Sequence, residues 1–470
     1  MVRFRSLGRY EGFWRSQCVD LLLSLGADPN IVAKNGSVPL HAAASSANIT
    51  RSLLRAGADL PAGKISPIFN AILKQNVEVL TAILDAGGDV DTVTDTITIK
   101  PSITDQARTA LFCASFALDL NRHIPDSVPQ IKLLIHRGAD MYAPLNDRET
   151  LIHYVFEHGE YEAVCAYLDC HDKINFEARD QLGRTVLLAA CNWTEVAPGY
   201  NHKHWFAKEP PPVTRLLEYG ADIMAVSNDG RNALHHLLDN PDIEQDTIMQ
   251  VLKKEPEACK KMLNHKDNDG YTPFHAALRV LRPEICFRLL DLGADLLDPD
   301  PTGATALHHI AKQYLQQHRP HRGHKLQQKH LDGHHEKALK LWRRYLDLGS
   351  SINVRDGTGS PPLFAYLSSP PNDDYYRKPK HSCCHLESLS KLFDAKDLDI
   401  VASNKAGETA LHLIARRGRK YHANDDHDRQ LIKFFVKDVD PLAENKEGLT
   451  ALDVAAATGK TEILDLFKRA

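Results

Sequence analysis

The chain has 470 residues, Lys+Arg 57 against Asp+Glu 61 for a formal net charge of −4, and 43% hydrophobic and 25% charged residues. That balance excludes the broad basic field that drives non-specific nucleic-acid binding, and no apolar run reaches the 18 residues of a membrane-spanning helix. The stretch Met1 to Arg9 lacks the apolar segment of a secretory signal and the nine cysteines are scattered, so the sequence reads as intracellular, cytoplasmic or nuclear, with reduced thiols.

From the amino terminus, residues 1–13 show no repeat pattern and are expected to form an irregular cap. Residues 14–30 supply a single amphipathic helix ending in Gly26-Ala27-Asp28, a partial unit whose first helix is absent, as in a shortened array. One block then recurs through 31–442, and 443–470 reads as a capping repeat whose final helix carries Thr461, Glu462, Asp465, Lys468 and Arg469. The block is clearest from Asp269-Gly270-Tyr271-Thr272-Pro273-Phe274-His275-Ala276-Ala277 to Gly293-Ala294-Asp295, and Thr305 reopens it 33 residues after Thr272. Equivalent openings stand at Val38, Ser66, Thr109, Thr150, Thr185, Asn232, Pro361, Thr409 and Thr450.

Each part has a physical reason. Glycine two residues before the opening, as at Gly270 and Gly303, suits a tight hairpin turn. The opening Thr or Ser caps a helix with its hydroxyl, and Pro at the first helical position lacks only an N–H that would be unpaired anyway; Thr272 and Pro273 show both. Small pairs such as Ala276-Ala277 let neighbouring helices approach. A second apolar-faced helix follows, as through Ile285, Leu289 and Leu290, and ends at a glycine such as Gly293, suited to a left-handed cap.

This block resembles the ankyrin repeat, with its Gly-x-Thr-Pro-Leu-His opening and Gly-Ala-Asp ending. The match is best over 269–295 and 300–353 and extends over essentially the whole chain. The resemblance implies an all-α fold, an α-solenoid of about twelve helix-turn-helix units with short β-hairpin fingers. Thr272, Pro273, His275, Gly293, Thr305, His308, Thr409 and His412 are the structural motif residues it singles out, and the motif histidine also stands at His41, His153 and His235. Phe69, Phe112, Leu188, Phe364 and Asp453 depart from it, and the second helix of the unit near 150–176 ends without Gly-Ala-Asp.

Extra residues fall mainly between the two helices of a unit, at 119–129, 192–211, 239–245, 314–335, 368–385 and 416–428, and hold 13 of the 25 histidines. Aromatics there, Trp193, Tyr200, Trp205, Phe206, Tyr375 and Tyr376, are candidate partner anchors; the competing reading folds them back on the helices. His318, His321, His324, His330, His334 and His335 invite a zinc site, but neither their spacing nor His381-Ser382-Cys383-Cys384-His385 matches a standard finger, and a solvated basic loop explains them as well. No metal or cofactor is expected. Ala457-Thr458-Gly459-Lys460-Thr461 is not a phosphate loop, since Val454 stands where its first glycine belongs.

Six histidines at equivalent places report a periodic structural need rather than one catalytic constellation. The expectation is therefore a non-catalytic scaffold or adaptor, monomeric alone, binding a protein on the concave ankyrin surface, with no nucleic acid or membrane. Alternatives are a nuclear co-regulator acting through protein contacts, for which Arg416, Arg417, Arg419 and Lys420 would be an import signal, and a metal-dependent enzyme built on the inserts.

Overall fold

The computed structural model describes residues 8–34, 37–60, 66–94, 108–116, 127–145, 147–193, 211–241, 243–314, 328–368, 397–416 and 431–458. The chain divides into two units, Met1–Asn228 and Asp229–Ala470. Both are all-α. Among the described residues the only strands are Val93–Thr94 and Arg108–Thr109, paired antiparallel with Val93 opposite Thr109.

In the first unit the helix Gly8–Ser24 precedes the helix pairs Pro39–Ala42 and Ala47–Arg55, Pro67–Leu73 and Val77–Asp85, Ala110–Phe116 and Val128–His136, Leu151–His158 and Tyr161–Asp169, and Val186–Ala190 and Pro212–Glu218. Second helices pack on successive second helices from Gly8–Ser24 to Pro212–Glu218. In the second unit Ala233–Asp239 is followed by Gln245–Lys254, and Pro273–Val280, Ala306–Tyr314 and Pro362–Ser368 are first helices in series. Their partners, where described, are Pro283–Leu292 and Gln328–Asp347. The extra length between Asn232 and Thr272 is taken up by a third helix, Pro256–Met262. The extra length between Ser66 and Thr109 lies inside a finger, beyond Thr94 and before Arg108, rather than between helices.

The core lies between the helices of each pair and between successive pairs. Phe112, Phe156 and Tyr167 are fully buried in the first unit, where Ser115 Oγ and Tyr167 Oη are 3.0 Å apart; Trp342, Phe274, Phe364 and Phe435 are buried in the second. Each such side chain contributes about 1.5–3 kcal/mol relative to exposure. Three of the positions that depart from the motif histidine, Phe112, Leu188 and Phe364, are almost wholly buried: an apolar side chain there keeps the packing and omits the polar link.

The fingers are built on side-chain-closed turns. Asp180, Asp267, Asp300, Asp356, Asn404 and Asn445, each five residues before an opening, accept with Oδ1 from the backbone N–H groups two and four residues on, at 2.8–3.1 Å. This satisfies two N–H groups that a short hairpin would leave open. Neighbouring tips are joined by backbone bonds, Gly357 N–H to Thr302 O at 2.7 Å and Lys405 N–H to Thr358 O at 2.9 Å. The aspartate of Gly-Ala-Asp does a similar job, since Asp28, Asp222 and Asp295 accept from the N–H two residues on.

Two glycines separate backbone conformation from close approach. Gly293 has φ +107° and open space where a Cβ would stand. At Gly303, φ is +79° and a Cβ would lie 2.6 Å from the Gly357 nitrogen. Gly293→Ala is therefore expected to cost about 1–2 kcal/mol from its left-handed backbone, with exchange protection lost over 265–312 and little near 38–60. Gly303→Ala is expected to cost more, because the joined fingertips must also part. Hydrogen exchange read repeat by repeat checks both; equal protection loss in the two variants would contradict the close-approach argument.

Candidate functional site

The motif histidines stitch each first helix to the finger that follows it. Thr272 N–H donates to His275 Nδ1 at 3.0 Å, and the other ring nitrogen, Nε2, lies 3.0 Å from Asp298 O. The same pair of bonds recurs at His308 with Thr305 N and Ser360 O (3.1 and 3.0 Å), at His412 with Thr409 N and Leu449 O (3.2 and 3.0 Å), and at His235 with Asn232 N and Tyr271 O (3.2 and 3.0 Å). His153 lies 3.3 Å from Ala178 O and 2.8 Å from Thr150 Oγ1, while Val38 N–H donates to His41 Nδ1 at 3.0 Å. A backbone N–H can only donate and a carbonyl can only accept, so the ring is neutral, with its proton on Nε2.

Protonation at Nδ1 would place a proton against a donor, in a buried place. Burial holds His153, His275 and His308 below the ordinary imidazole value, and takes His235 from 6.5 to about 4. These histidines are consumed by the fold and are not free to act as general bases.

Asp453 stands at the histidine position of the last opening. Thr450 N–H donates to its Oδ2 at 2.9 Å and Thr450 Oγ1 to the same oxygen at 2.6 Å. A carboxylate reproduces the accepting half of the imidazole and has no proton to donate onward.

Between fingers and first helices runs a charged strip. In the first unit the Arg184 guanidinium meets Asp180 at 2.8 Å, Glu149 at 2.7 Å and Glu157 at 2.5 Å, all largely buried. Burial raises the Glu157 carboxyl in spite of the neighbouring arginine. His158 lies 4.0 Å from Glu157, and Glu149, Glu157 and His158 are the one group among the described residues with metal-ligand proximity, but both carboxylates already serve Arg184. In the second unit Arg231 and Arg279 flank Asp239 and, against the penalty of burial, hold its carboxyl below the usual range; Arg279 also lies over the Tyr271 ring at 5.8 Å.

One register position went unnoticed in the sequence. Eight residues before an opening, Asn30, Asn264 and Asn353 donate through Nδ2 to Gly57 O, Gly293 O and Asp397 O at 3.1, 3.4 and 2.6 Å. Asn30 and Asn353 also accept from the N–H groups of Asp59 and Asp399. In the second unit the same register carries Leu297, Val401 and Leu442, which are 43%, 60% and 63% exposed. Leu297 borders an open groove of about 530 Å³ that Tyr345, Val354, Arg355 and Asp356 also line. The legible signal was Asn or an aliphatic residue at this place before each opening from Thr272 to Thr450.

Of the aromatic anchors expected from sequence, Trp193 is half-buried; its indole N–H donates to Gly159 O at 3.0 Å and its ring lies 6.2 Å from Tyr161. Tyr200, Trp205, Phe206, Tyr375 and Tyr376 lie outside the described residues, as do His318, His321 and His324; His330, His334 and His335 fall within the helix Gln328–Asp347. In the basic cluster, Arg416 pairs with Glu408, and Arg417, Arg419 and Lys420 lie outside the described residues. Thr458 caps its helix and donates to Ala415 O at 2.9 Å, which accounts for the start of the segment resembling a phosphate loop.

A family described as ankyrin repeats (3 copies) matches residues 12–94. A human protein named Ankyrin repeat and SOCS box protein 16 is 25% identical over 260 residues, 53% of this chain and 50% of that protein. The chain thus spans about half the length of this curated relative.

The buried imidazoles make stability pH-dependent with a definite sign. Between pH 6.5 and about 4 the unfolded chain binds a proton at His235 that the folded chain refuses, so stability is complete above 6.5 and is lost as pH falls through that window. Urea midpoints at pH 7.5, 6.5 and 5.5 are expected to be flat over the first step and to fall over the second; a rise at pH 5.5 would contradict the neutral ring. Arg184→Met, which leaves Glu149, Glu157 and Asp180 without their cation, is expected to cost about 3–5 kcal/mol, read as lost exchange protection at 149–190.

Proposed function

The chain is an ankyrin-repeat protein, and we propose that it is a non-catalytic scaffold or adaptor that binds a protein partner on the finger and first-helix surface. In this reading the array holds about twelve repeats, from the partial one at 14–30 to the cap at 443–470. No helix among the described residues is long and apolar enough to cross a membrane. The observation that carries the proposal is a division of labour along the fingers. The periodic polar groups are consumed in holding repeats together, whereas Leu297, Val401 and Leu442 stand exposed at one register, Leu297 beside a groove. Aliphatic side chains displayed in that way suit the apolar centre of a protein interface.

The buried thiols support a binding rather than a nucleophilic role. Burial pushes Cys113, Cys259 and Cys286 up to about 12, far from the thiolate needed for attack. Cys170 Sγ lies 3.8 Å from His136 Nδ1, but that nitrogen is 2.7 Å from Lys132 O, which takes its proton and leaves no base facing the sulfur. The aromatic inserts, with Trp193, Tyr200, Trp205, Phe206, Tyr375 and Tyr376, are proposed as further contacts that add selectivity.

The test is crosslinking of the full chain in native lysate, with Leu297→Asp, Val401→Asp and Leu442→Asp combined in one variant. A saturable protein partner crosslinked to 295–305, 350–360 or 399–449 is expected, with recovery reduced at least tenfold in the variant while its unfolding midpoint stays unchanged. Undiminished recovery would sink the finger surface, and no saturable protein at all would sink the scaffold.

A further inference from the structure

Four fingers of the second unit are joined in series and carry a charge that the rest of the chain does not share. Gly357 N–H donates to Thr302 O at 2.7 Å, Lys405 N–H to Thr358 O at 2.9 Å and Lys446 N–H to Ala406 O at 2.9 Å, so the stretches 293–304, 349–360, 397–408 and 438–449 form one surface. Together they hold 11 acidic and 3 basic residues, a net charge of −8, against −4 for the whole chain. The equivalent stretches before the openings of the first unit, 26–37, 54–65, 97–108, 138–149 and 173–184, hold 8 acidic and 9 basic residues. Finger architecture alone therefore does not demand the acidity.

Part of it serves the fold: Asp300 and Asp356 close their turns, and Asp295 and Asp440 each accept from the N–H two residues on. Asp397, Asp438, Glu444 and Glu447 are exposed, and among the described residues none of these four side chains is held by a hydrogen bond or an ion pair. Like charges gathered in this way repel one another, and nothing in the fold offsets that cost. In the same stretches stand Leu297, Val401 and Leu442, with Tyr345 and Val354 lining the groove beside Leu297. An acidic surface that also displays aliphatic side chains at one register is complemented by a partner that is basic and aliphatic at once.

We propose that these four fingers bind a basic segment of the partner protein, one in which lysine or arginine side chains accompany aliphatic ones. The inference rests on the scaffold reading above and adds the chemistry of its partner. Cationic side chains are attracted by the net charge of −8, while the aliphatic ones cover Leu297, Val401 and Leu442. A second copy of this chain docking through the same face would set acid against acid, and nucleic acid would be repelled by the same field. Because these charges lie at the surface, their attraction reaches about 8 Å at physiological salt and weakens as salt is added. The apolar contacts persist, so the two contributions separate experimentally.

Panning a displayed library of random peptides on the full chain tests it, with the recovered peptides synthesised and their affinities measured by fluorescence anisotropy in about 50 and 300 mM NaCl. Peptides rich in lysine or arginine and carrying aliphatic residues are expected, crosslinking to 293–304, 349–360, 397–408 or 438–449. Their affinity is expected to fall about tenfold at the higher salt, and about tenfold in a variant combining Asp397→Asn, Glu444→Gln and Glu447→Gln. Those three side chains are exposed, so the variant is expected to keep its unfolding midpoint. Serine in place of the aliphatic residues of a recovered peptide is expected to weaken it by a similar factor. Neutral or acidic peptides at the fingers, or affinities indifferent to salt and to the neutralised variant, overturn the proposal and leave the scaffold reading standing. Equal binding by the serine peptide reduces the contact to ion attraction and overturns it as well. So does the absence of any saturable peptide at the fingers, whether because another segment of this chain or nothing lies there; the lysate crosslinking above then judges the scaffold separately.

Discussion

The bond on which this structure turns is the double hydrogen bond of a neutral imidazole, accepting at Nδ1 from the backbone at the start of its own helix and donating at Nε2 to a carbonyl of the next finger. A repeat has too little apolar area to stand alone, so it must be joined to its neighbour through packing and through directional bonds. Thr272–His275–Asp298 and its counterparts at His235, His308 and His412 supply direction: the ring can reach only a carbonyl at one place, and the register of the next finger follows. The turns closed by Asp267, Asp300, Asp356, Asn404 and Asn445 then stiffen each finger, and the asparagines Asn30, Asn264 and Asn353 tie its stem forward.

Much of this was legible in the residues. Glycine before an opening and glycine in a Gly-Ala-Asp ending announce left-handed backbone, which the described ones, Gly303 and Gly293 among them, adopt. The capping roles of Thr272, Thr185 and Thr450 follow from a hydroxyl placed before a helix, and each accepts from the N–H three residues on. Elements that repeat with one spacing can be read because several copies average out local accident. The third helix Pro256–Met262 and the extra residues between the paired strands Val93–Thr94 and Arg108–Thr109 occur once each, and single events leave no period to detect.

The candidate surface was less legible, for a different reason. Leu297, Val401 and Leu442 are exposed because of where the register places them, not because of any feature of their own composition. In a string of letters an aliphatic residue suggests core. Trp193 is a different case: in sequence an aromatic in such a loop reads as a partner contact or as folded back on the helices, and its indole N–H is bonded to Gly159 O within its own unit. The residues around Arg184 form a shielded network of one cation among three carboxylates, which no spacing in the sequence announces.

Asp453 gives the array a grammar. An imidazole both receives and passes on a proton contact; the Asp453 carboxylate receives only, so its opening is capped without the onward bond that His412 makes to Leu449 O. The modules are therefore not interchangeable beads. Were the 450–458 block set before a finger of the usual kind, its carboxylate would confront a neighbour's carbonyl with like partial charge, so one side chain decides which neighbour the block can accept.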